Sequence, residues 1–304
     1  MNKPRRAPRR QVDGVLLFDK PSGMTSNAAL QKVRWLFNAA KGGHTGTLDP
    51  MATGLLPLCL GEATKFAAEL LEADKRYRAT IRFGITTDTA DADGRVLASI
   101  PVDVSEERLR SALALFKGKL EQIPPMHSAL KVGGKPLYAY AREGIEIERT
   151  ARLVTVHSLD LLAFDGLSAT VDVACSKGTY VRTLASDLGT TLGCGAHLSM
   201  LRRTGIGALR VDDAVALEFL EALPADSRDS ALSPPDSLLS GLPAARLTES
   251  DKGRMLHGQA VRWLGESGQR LRLYGADGDF IGVGEMAQDG WLHPKRLVAS
   301  AATR

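Results

Sequence analysis

Between Gly42 and Pro57 the chain packs four glycines, two prolines, one histidine and one carboxylate into sixteen residues. Glycines admit backbone angles that other residues resist, so a segment of this kind is expected to display side chains rather than fill a core. Pro50 biases Asp49 towards an extended backbone and leaves its carboxylate free to project. Asp49 is therefore the first candidate for chemistry, although an isolated Asp-Pro commonly does no more than open a turn. Its surroundings have to decide.

Several familiar mechanisms lack their parts. The Gly42–Asp49 run has no lysine of the phosphate-loop type, and the chain has no G-x-S-x-G elbow for a serine hydrolase. Asp88–Gly94 is similar to a calcium loop. Aligning its glycine, however, puts Thr89 at the first ligand position and Ile100 at the twelfth, which removes two oxygen ligands. The six histidines form no H-x-x-x-H pair, and no H-x-E with P-C-x-x-C marks a zinc deaminase. A reaction without metal or cofactor is the economical expectation. Cys59, Cys175 and Cys194 are odd in number and far apart, so they read as reduced thiols of a cytoplasmic protein. No apolar run approaches the roughly 18 residues that a bilayer requires, so neither membrane insertion nor export is expected.

The formal net charge of +4 is unevenly placed. Lys3, Arg5, Arg6, Arg9 and Arg10 precede the first acid, which leaves 34 basic against 35 acidic residues in the remainder. Residues 1–10 thus read as a basic, disordered tail suited to non-specific phosphate contact or to solubility. The near-neutral body calls for a localised basic groove if it binds nucleic acid.

The elements that must carry these residues follow from periodicity. A strand is expected through Gly14–Phe18, then a turn at Lys20–Gly23 and a helix from Ser26 with Leu30, Val33 and Phe37 on one face. A second helix is expected over Glu62–Glu72. Tyr77, Ala79, Ile81 and Phe83 alternate with Arg76, Arg78, Thr80 and Arg82, the pattern of a half-buried strand. Ser105 can cap a helix bearing Leu109, Leu113 and Phe116, and Ile123-Pro124-Pro125 interrupts regular structure. Two strands pair around Asp165-Gly166, and Ser176–Thr179 leads into a helix with Val181, Leu184, Ala185 and Leu188. Ala222–Leu242 reads as a linker or a poorly specified helix pair. Beyond it, turns at Asp277-Gly278 and Asp289-Gly290 predict a small β-rich domain. The resulting division is a catalytic domain over 11–240 and a β-rich one over 241–304.

Short motifs recur in a fixed order through the first 205 residues. They are Lys20–Ser26, Gly43–Asp49, Lys75-Arg76-Tyr77, Ile123-Pro124-Pro125 with Ser128–Lys131, Cys175–Leu184, Gly193–Leu198 and Leu201–Thr204. As an ordered set they closely resemble bacterial TruB-family tRNA pseudouridine synthases, which isomerise the T-loop uridine at tRNA position 55. The resemblance implies an α+β pseudouridine synthase fold with a mixed, largely antiparallel central sheet and a small β-rich PUA-like C-terminal domain. It implies no metal and no cofactor.

By the same resemblance Asp49 is the nucleophile, Arg182 its cationic partner, and Tyr77 the platform for a flipped uracil. Tyr180 and Leu201 line that pocket, His44 fits against displaced RNA, and Lys20 and Pro21 support the Asp49 loop. Asp49 attack at C1′, at base C6, or on a ribose proton stays open, and each route favours an ionised carboxylate that a nearby cation would hold at low pKa. Phosphate contacts are expected from Lys65, Lys131, Arg142, Lys177, Arg202 and Arg203, with tRNA engaged through the T-arm and acceptor stem. DNA and membranes are not expected partners, and the protein is expected to be a monomer. Two rival readings are an RNA-folding chaperone without catalysis, and a hydrolase using His44 as base with Thr45 or Thr47 as nucleophile.

Overall fold

The alternation over Tyr77–Phe83 becomes the centre of the molecule. In a computed structural model describing residues 8–298, the strand Lys75–Phe83 buries Ala79, Ile81 and Phe83 and exposes Arg76 and Arg78. Seven strands of the main sheet are numbered here: β1 (Gly14–Lys20), β2 (Thr53–Leu60), β3 (Lys75–Phe83), β4 (Gly118–Gln122), β5 (Arg152–Phe164), β6 (Ser168–Cys175) and β7 (Ala196–Ile206). Their spatial order is β1-β2-β7-β3-β6-β5-β4, with the short strand Val215–Ala216 outside β1. Only β2 with β7 and β1 with Val215–Ala216 run parallel along this path, so the expected mixed, largely antiparallel sheet is present.

Three helices matter for the site and its support: α1 (Ser26–Leu36), α2 (Glu106–Leu115) and α3 (Val181–Leu192). Thr25 caps α1 by accepting from Ala28 N, and Ser105 caps α2 by accepting from Arg108 N. Helix α3 ends on Gly193 at φ +80°, a left-handed conformation that glycine adopts without penalty. At the β2–β7 crossing, Gly54 has φ +99°, and a Cβ there would lie 2.3 Å from the Arg203 carbonyl oxygen. Any side chain would push the two strands apart directly below the site.

The second sheet has five strands: Ala244–Arg246, Arg270–Tyr274, Phe280–Met286, Trp291–Leu297 and Val261–Arg262, in that spatial order. It packs on the main body through Phe66 and Phe280, whose rings meet edge to face at 5.4 Å. Arg270 donates to both oxygens of Glu69 at 2.7 and 2.8 Å, and Tyr274 donates to Asp236 at 2.6 Å. No helix among the described residues is long and apolar enough to cross a membrane.

Several expectations need correction. Of the two readings of Ala222–Leu242 the free linker fails and the poorly specified helix pair is nearer: the stretch holds two 3-10 turns, Arg228–Ala231 and Pro235–Leu239, Leu238 and Leu239 are buried, and Ser233 pairs with Val15 of β1. Apolar residues inside a Pro/Ser-rich stretch carried that packing. The expected helix Glu62–Glu72 divides into a 3-10 turn, Gly61–Phe66, and a short helix, Ala67–Glu72. The C-terminal block also contains a helix, Glu249–Leu256, capped by Thr248. Gly42–His44 is a short strand paired with Leu58–Leu60, and Leu55, Leu56 and Pro57 belong to β2 with Leu55 and Leu56 fully buried, so the glycine-rich segment is a loop only over residues 45–52. Of the basic tail, residues 1–7 lie outside the described residues. Arg10 is docked, bridging to Ala39 and pairing with Asp229 at 2.5 Å.

Candidate active site

Asp49 is held by its neighbours in sequence. Leu48 is pinned to the start of α1, where Ser26 Oγ accepts from Leu48 N at 2.8 Å and donates to Leu48 O at 3.0 Å. Pro50 is pinned from the other side: its carbonyl accepts from Gly23 N at 2.9 Å and from Lys20 Nζ at 3.2 Å. Lys20 is fully buried and also donates to the Pro21 and Met24 carbonyls at 2.8 and 2.6 Å. Burial lowers its pKa to about 8, against the opposing pull of Asp49. Lys20 and Pro21 therefore act on the backbone that carries Asp49.

Arg182 sits in the first turn of α3, 4% exposed, with its guanidinium engaged on every side. Its Nε lies 3.0 Å from Asp49 Oδ2, and its Nη1 lies 3.4 Å from Asp91 Oδ2 and donates to Thr89 O at 3.1 Å. Nη2 donates to His127 O at 2.7 Å. The planar fork thus fixes the carboxylate's direction as well as supplying charge. The Asp49 side chain keeps 35% of its surface exposed, so a substrate can reach it.

The expected low pKa of Asp49 does not hold. Burial raises it above the ordinary carboxylate value, Arg182 pulls the other way, and Asp91 adds to the rise. Desolvation outweighs the cation here.

Asp49 and Arg182 lie at the junction of two cavities of about 570 and 300 Å³. Tyr77, Tyr180, Val181 and Leu201 wall the smaller, inner cavity. Tyr180 is fixed by Gln122, whose Oε1 accepts from Tyr180 N at 3.0 Å. The Tyr77 phenol has a raised pKa through burial, opposed by Arg203. His44 lines the outer cavity, half-buried, with its pKa lowered by burial and then by Arg203. The fold thus gathers Asp49, Tyr77, Tyr180, Arg182 and Leu201 around one space, with His44 beside it.

The six basic residues expected on phosphates divide. Lys131 and Arg142 are exposed, and Arg142 lines the outer cavity. Lys177 is exposed and paired with Glu72, while Arg202 donates to both oxygens of Asp19 at 3.0 and 2.7 Å. Lys65 donates to Glu62 and to the Leu297 carbonyl at 2.6 and 2.8 Å, which ties the 3-10 turn Gly61–Phe66 to the second sheet. Arg203 is the clear correction: it is 1% exposed, its Nε donates to Leu55 O at 2.7 Å, and it lines the inner cavity. A buried guanidinium on the cavity wall cannot meet an RNA backbone at the surface. Sequence reasoning missed Asp91, Gln122 and the Ser26 clamp. Asp91 had a signal, its place in an acidic run, but only a calcium loop was weighed there.

Residues 34–181 match the family model described as TruB family pseudouridylate synthase, N terminal domain. Residues 182–240 match the tRNA pseudouridylate synthase B C-terminal domain, and residues 243–298 match pseudouridine synthase II TruB, C-terminal. The chain belongs to the TruB family. Relatives within it include tRNA pseudouridine synthase B of Aromatoleum aromaticum, 59% identical over 295 residues, spanning 97% of this chain and 96% of that protein. Another is tRNA pseudouridine synthase B of Chromobacterium violaceum, 55% identical over 305 residues and 99% of each chain. The crystal structure of a Cbf5-Nop10-Gar1 complex is similar at a TM-score of 0.70 and 25% identity, covering 94% of this chain and 84% of that one. As a TruB-family pseudouridylate synthase the protein is an isomerase, and the two sheets are the catalytic fold and the β-rich C-terminal part expected of it.

Proposed function

We propose that this enzyme converts the uridine at position 55 in the T-loop of tRNA to pseudouridine, with Asp49 as the attacking group. The observation that carries this reading is the Asp49–Arg182 ion pair, 3.0 Å apart, at the mouth of an aromatic-walled cavity. The reaction breaks the bond from ribose C1′ to uracil N1, turns the base, and joins C1′ to C5; the C5 proton is lost and N1 gains one. No external group is consumed. A carboxylate fixed by a guanidinium can serve any of the three routes of attack, at C1′, at C6 or on a ribose proton.

A uridine inside a folded loop must leave its stack to reach Asp49. Tyr77 offers a flat face for the base, Tyr180 and Leu201 close the cavity around it, and His44 stands in the outer cavity where displaced RNA would lie. Lys131, Arg142, Lys177 and Arg202 are proposed to meet the T-arm backbone. The part over 241–304 is assigned to the acceptor stem, the catalytic part to 11–240, and the protein is read as a cytoplasmic monomer. Incubation with an unmodified tRNA transcript, followed by mapping of pseudouridine, tests the reading. Product at the T-loop uridine supports it, whereas folded protein that binds tRNA without forming product points to a chaperone.

A further inference from the structure

Among the described residues three buried side-chain polar atoms have no hydrogen-bond partner: Arg34 Nε, His44 Nδ1 and Ser128 Oγ. The last two belong to residues lining the cavity beside Asp49. His44 is already among the residues that face the substrate; Ser128, 4% exposed, has no role so far. A buried hydroxyl that gives up water without gaining a partner is costly, so its retention in a cavity wall asks for a partner that arrives later.

The backbone around Ser128 is held on two sides. The His127 carbonyl accepts from Arg182 Nη2 at 2.7 Å, and the Ser128 carbonyl accepts from Tyr138 N at 3.0 Å. The segment is therefore tied to the same guanidinium that orients Asp49. The Ser128 hydroxyl itself has no bond to lose, so a turn about χ1 re-aims it without breaking a hydrogen bond.

Six residues line both cavities, Thr47, Leu48, Asp49, Ser128, Ala129 and Arg182, and of the two hydroxyls among them only that of Ser128 is buried without a partner. The inner cavity, walled by Tyr77 and Leu201, suits the base, and the outer one, with Arg142, suits the polynucleotide backbone. The sugar joins base to backbone, so it has to occupy the junction, where Asp49 can reach it. The 2′-hydroxyl sits on the carbon next to C1′ and is the ribose hydroxyl nearest the bond that breaks. We propose that Ser128 Oγ hydrogen-bonds the 2′-hydroxyl of the target uridine and so makes the site selective for a ribonucleotide at that position. Two hydroxyls can each donate and accept, and the 2′-hydroxyl is the group by which a protein tells RNA from DNA. This inference rests on the uridine isomerisation proposed above.

The test is a binding cycle with four combinations: wild type and Ser128→Ala, each with a tRNA transcript carrying uridine or 2′-deoxyuridine at the target position. Affinities are read with Asp49→Asn added to both proteins, so that the uridine transcript is not converted during the measurement and the deoxy substrate serves whether or not it reacts. Each single change is expected to weaken binding by about 3- to 10-fold, and the two together by no more than one alone. Losses that multiply, or a Ser128→Ala protein with unchanged affinity for the uridine transcript, would overturn the inference. A thermal melt of Ser128→Ala controls for folding. Wild-type conversion of the uridine transcript is read in parallel: its failure removes the proposed reaction, whereas its success with additive losses removes only the role of Ser128.

Discussion

Arg182 stands between two carboxylates and divides its guanidinium between them, with Nε at 3.0 Å from Asp49 and Nη1 at 3.4 Å from Asp91. Asp91 is buried, and Thr89 Oγ1 donates to its Oδ1 at 2.5 Å, so this second carboxylate is itself fixed. Asp49, with 35% of its side chain exposed, is the most accessible of the three to a substrate. The arrangement also sets opposite electrostatic consequences for removing either neighbour.

Replacing Arg182 by Met removes the cation that opposes the burial-driven rise in the Asp49 pKa. Activity that needs ionised Asp49 rises with pH through that pKa, so the acid limb of the kcat/KM profile is expected to move to higher pH. The rate at neutral pH should fall by roughly 100-fold or more. Asp91 loses its ion-pair partner in a buried place, which is expected to cost about 3–5 kcal/mol in urea unfolding.

Asp91→Asn is expected to move the same limb the other way. It deletes a negative charge that raises the Asp49 pKa, so ionisation of Asp49 extends to lower pH. Weaker restraint of the guanidinium should still lower kcat. A pH–rate profile whose acid limb rose instead would contradict the ordering of charges described above.

Ser26→Ala removes two hydrogen bonds at once, because its hydroxyl both donates to and accepts from Leu48. With Ser26 only 2% exposed, Leu48 N and O are left buried and unpaired, at an expected cost of about 1–3 kcal/mol. Asp49 follows directly in the chain, so kcat should drop while tRNA affinity holds. Steady-state kinetics beside filter binding separates the two.

Lys20 gives a pH signature of its own. Its folded pKa of about 8 lies below the unfolded value of 10.5, so between those limits the unfolded chain binds more protons. Stability from this group is therefore expected to rise with pH across that window. Comparing wild type with Lys20→Met from pH 7 to 10.5 reads it, and wild-type stability that falls relative to the variant would contradict the burial described here.

Much of the site was legible because its residues sit in compact motifs, and the helix carrying Arg182 shows itself through the apolar spacing of Val181, Leu184, Ala185 and Leu188. What stayed hidden needed the third dimension. Nothing local says that Asp91, among the acids of Asp88–Asp93, is the one turned to Arg182. The Asp49 pKa was misjudged because a cation can be guessed from motifs, whereas burial depends on the packing of distant strands. Arg202 and Arg203 look alike in sequence, yet successive residues of a strand face opposite ways. One pairs with Asp19 at a half-exposed position, and the other lies inside the wall beside Tyr77.

The Asp49 carboxylate is proposed to do the chemistry while the cavities around it do the binding. Asp49→Asn keeps the size of the side chain and relieves a buried charge, so the variant should fold at least as stably as wild type and bind tRNA with similar affinity. Mapping pseudouridine in an unmodified tRNA transcript after incubation with each protein is the most direct measurement. Wild type is expected to modify the T-loop uridine and Asp49→Asn to leave it unmodified, whereas an equal pseudouridine yield from the two proteins would contradict the role of Asp49.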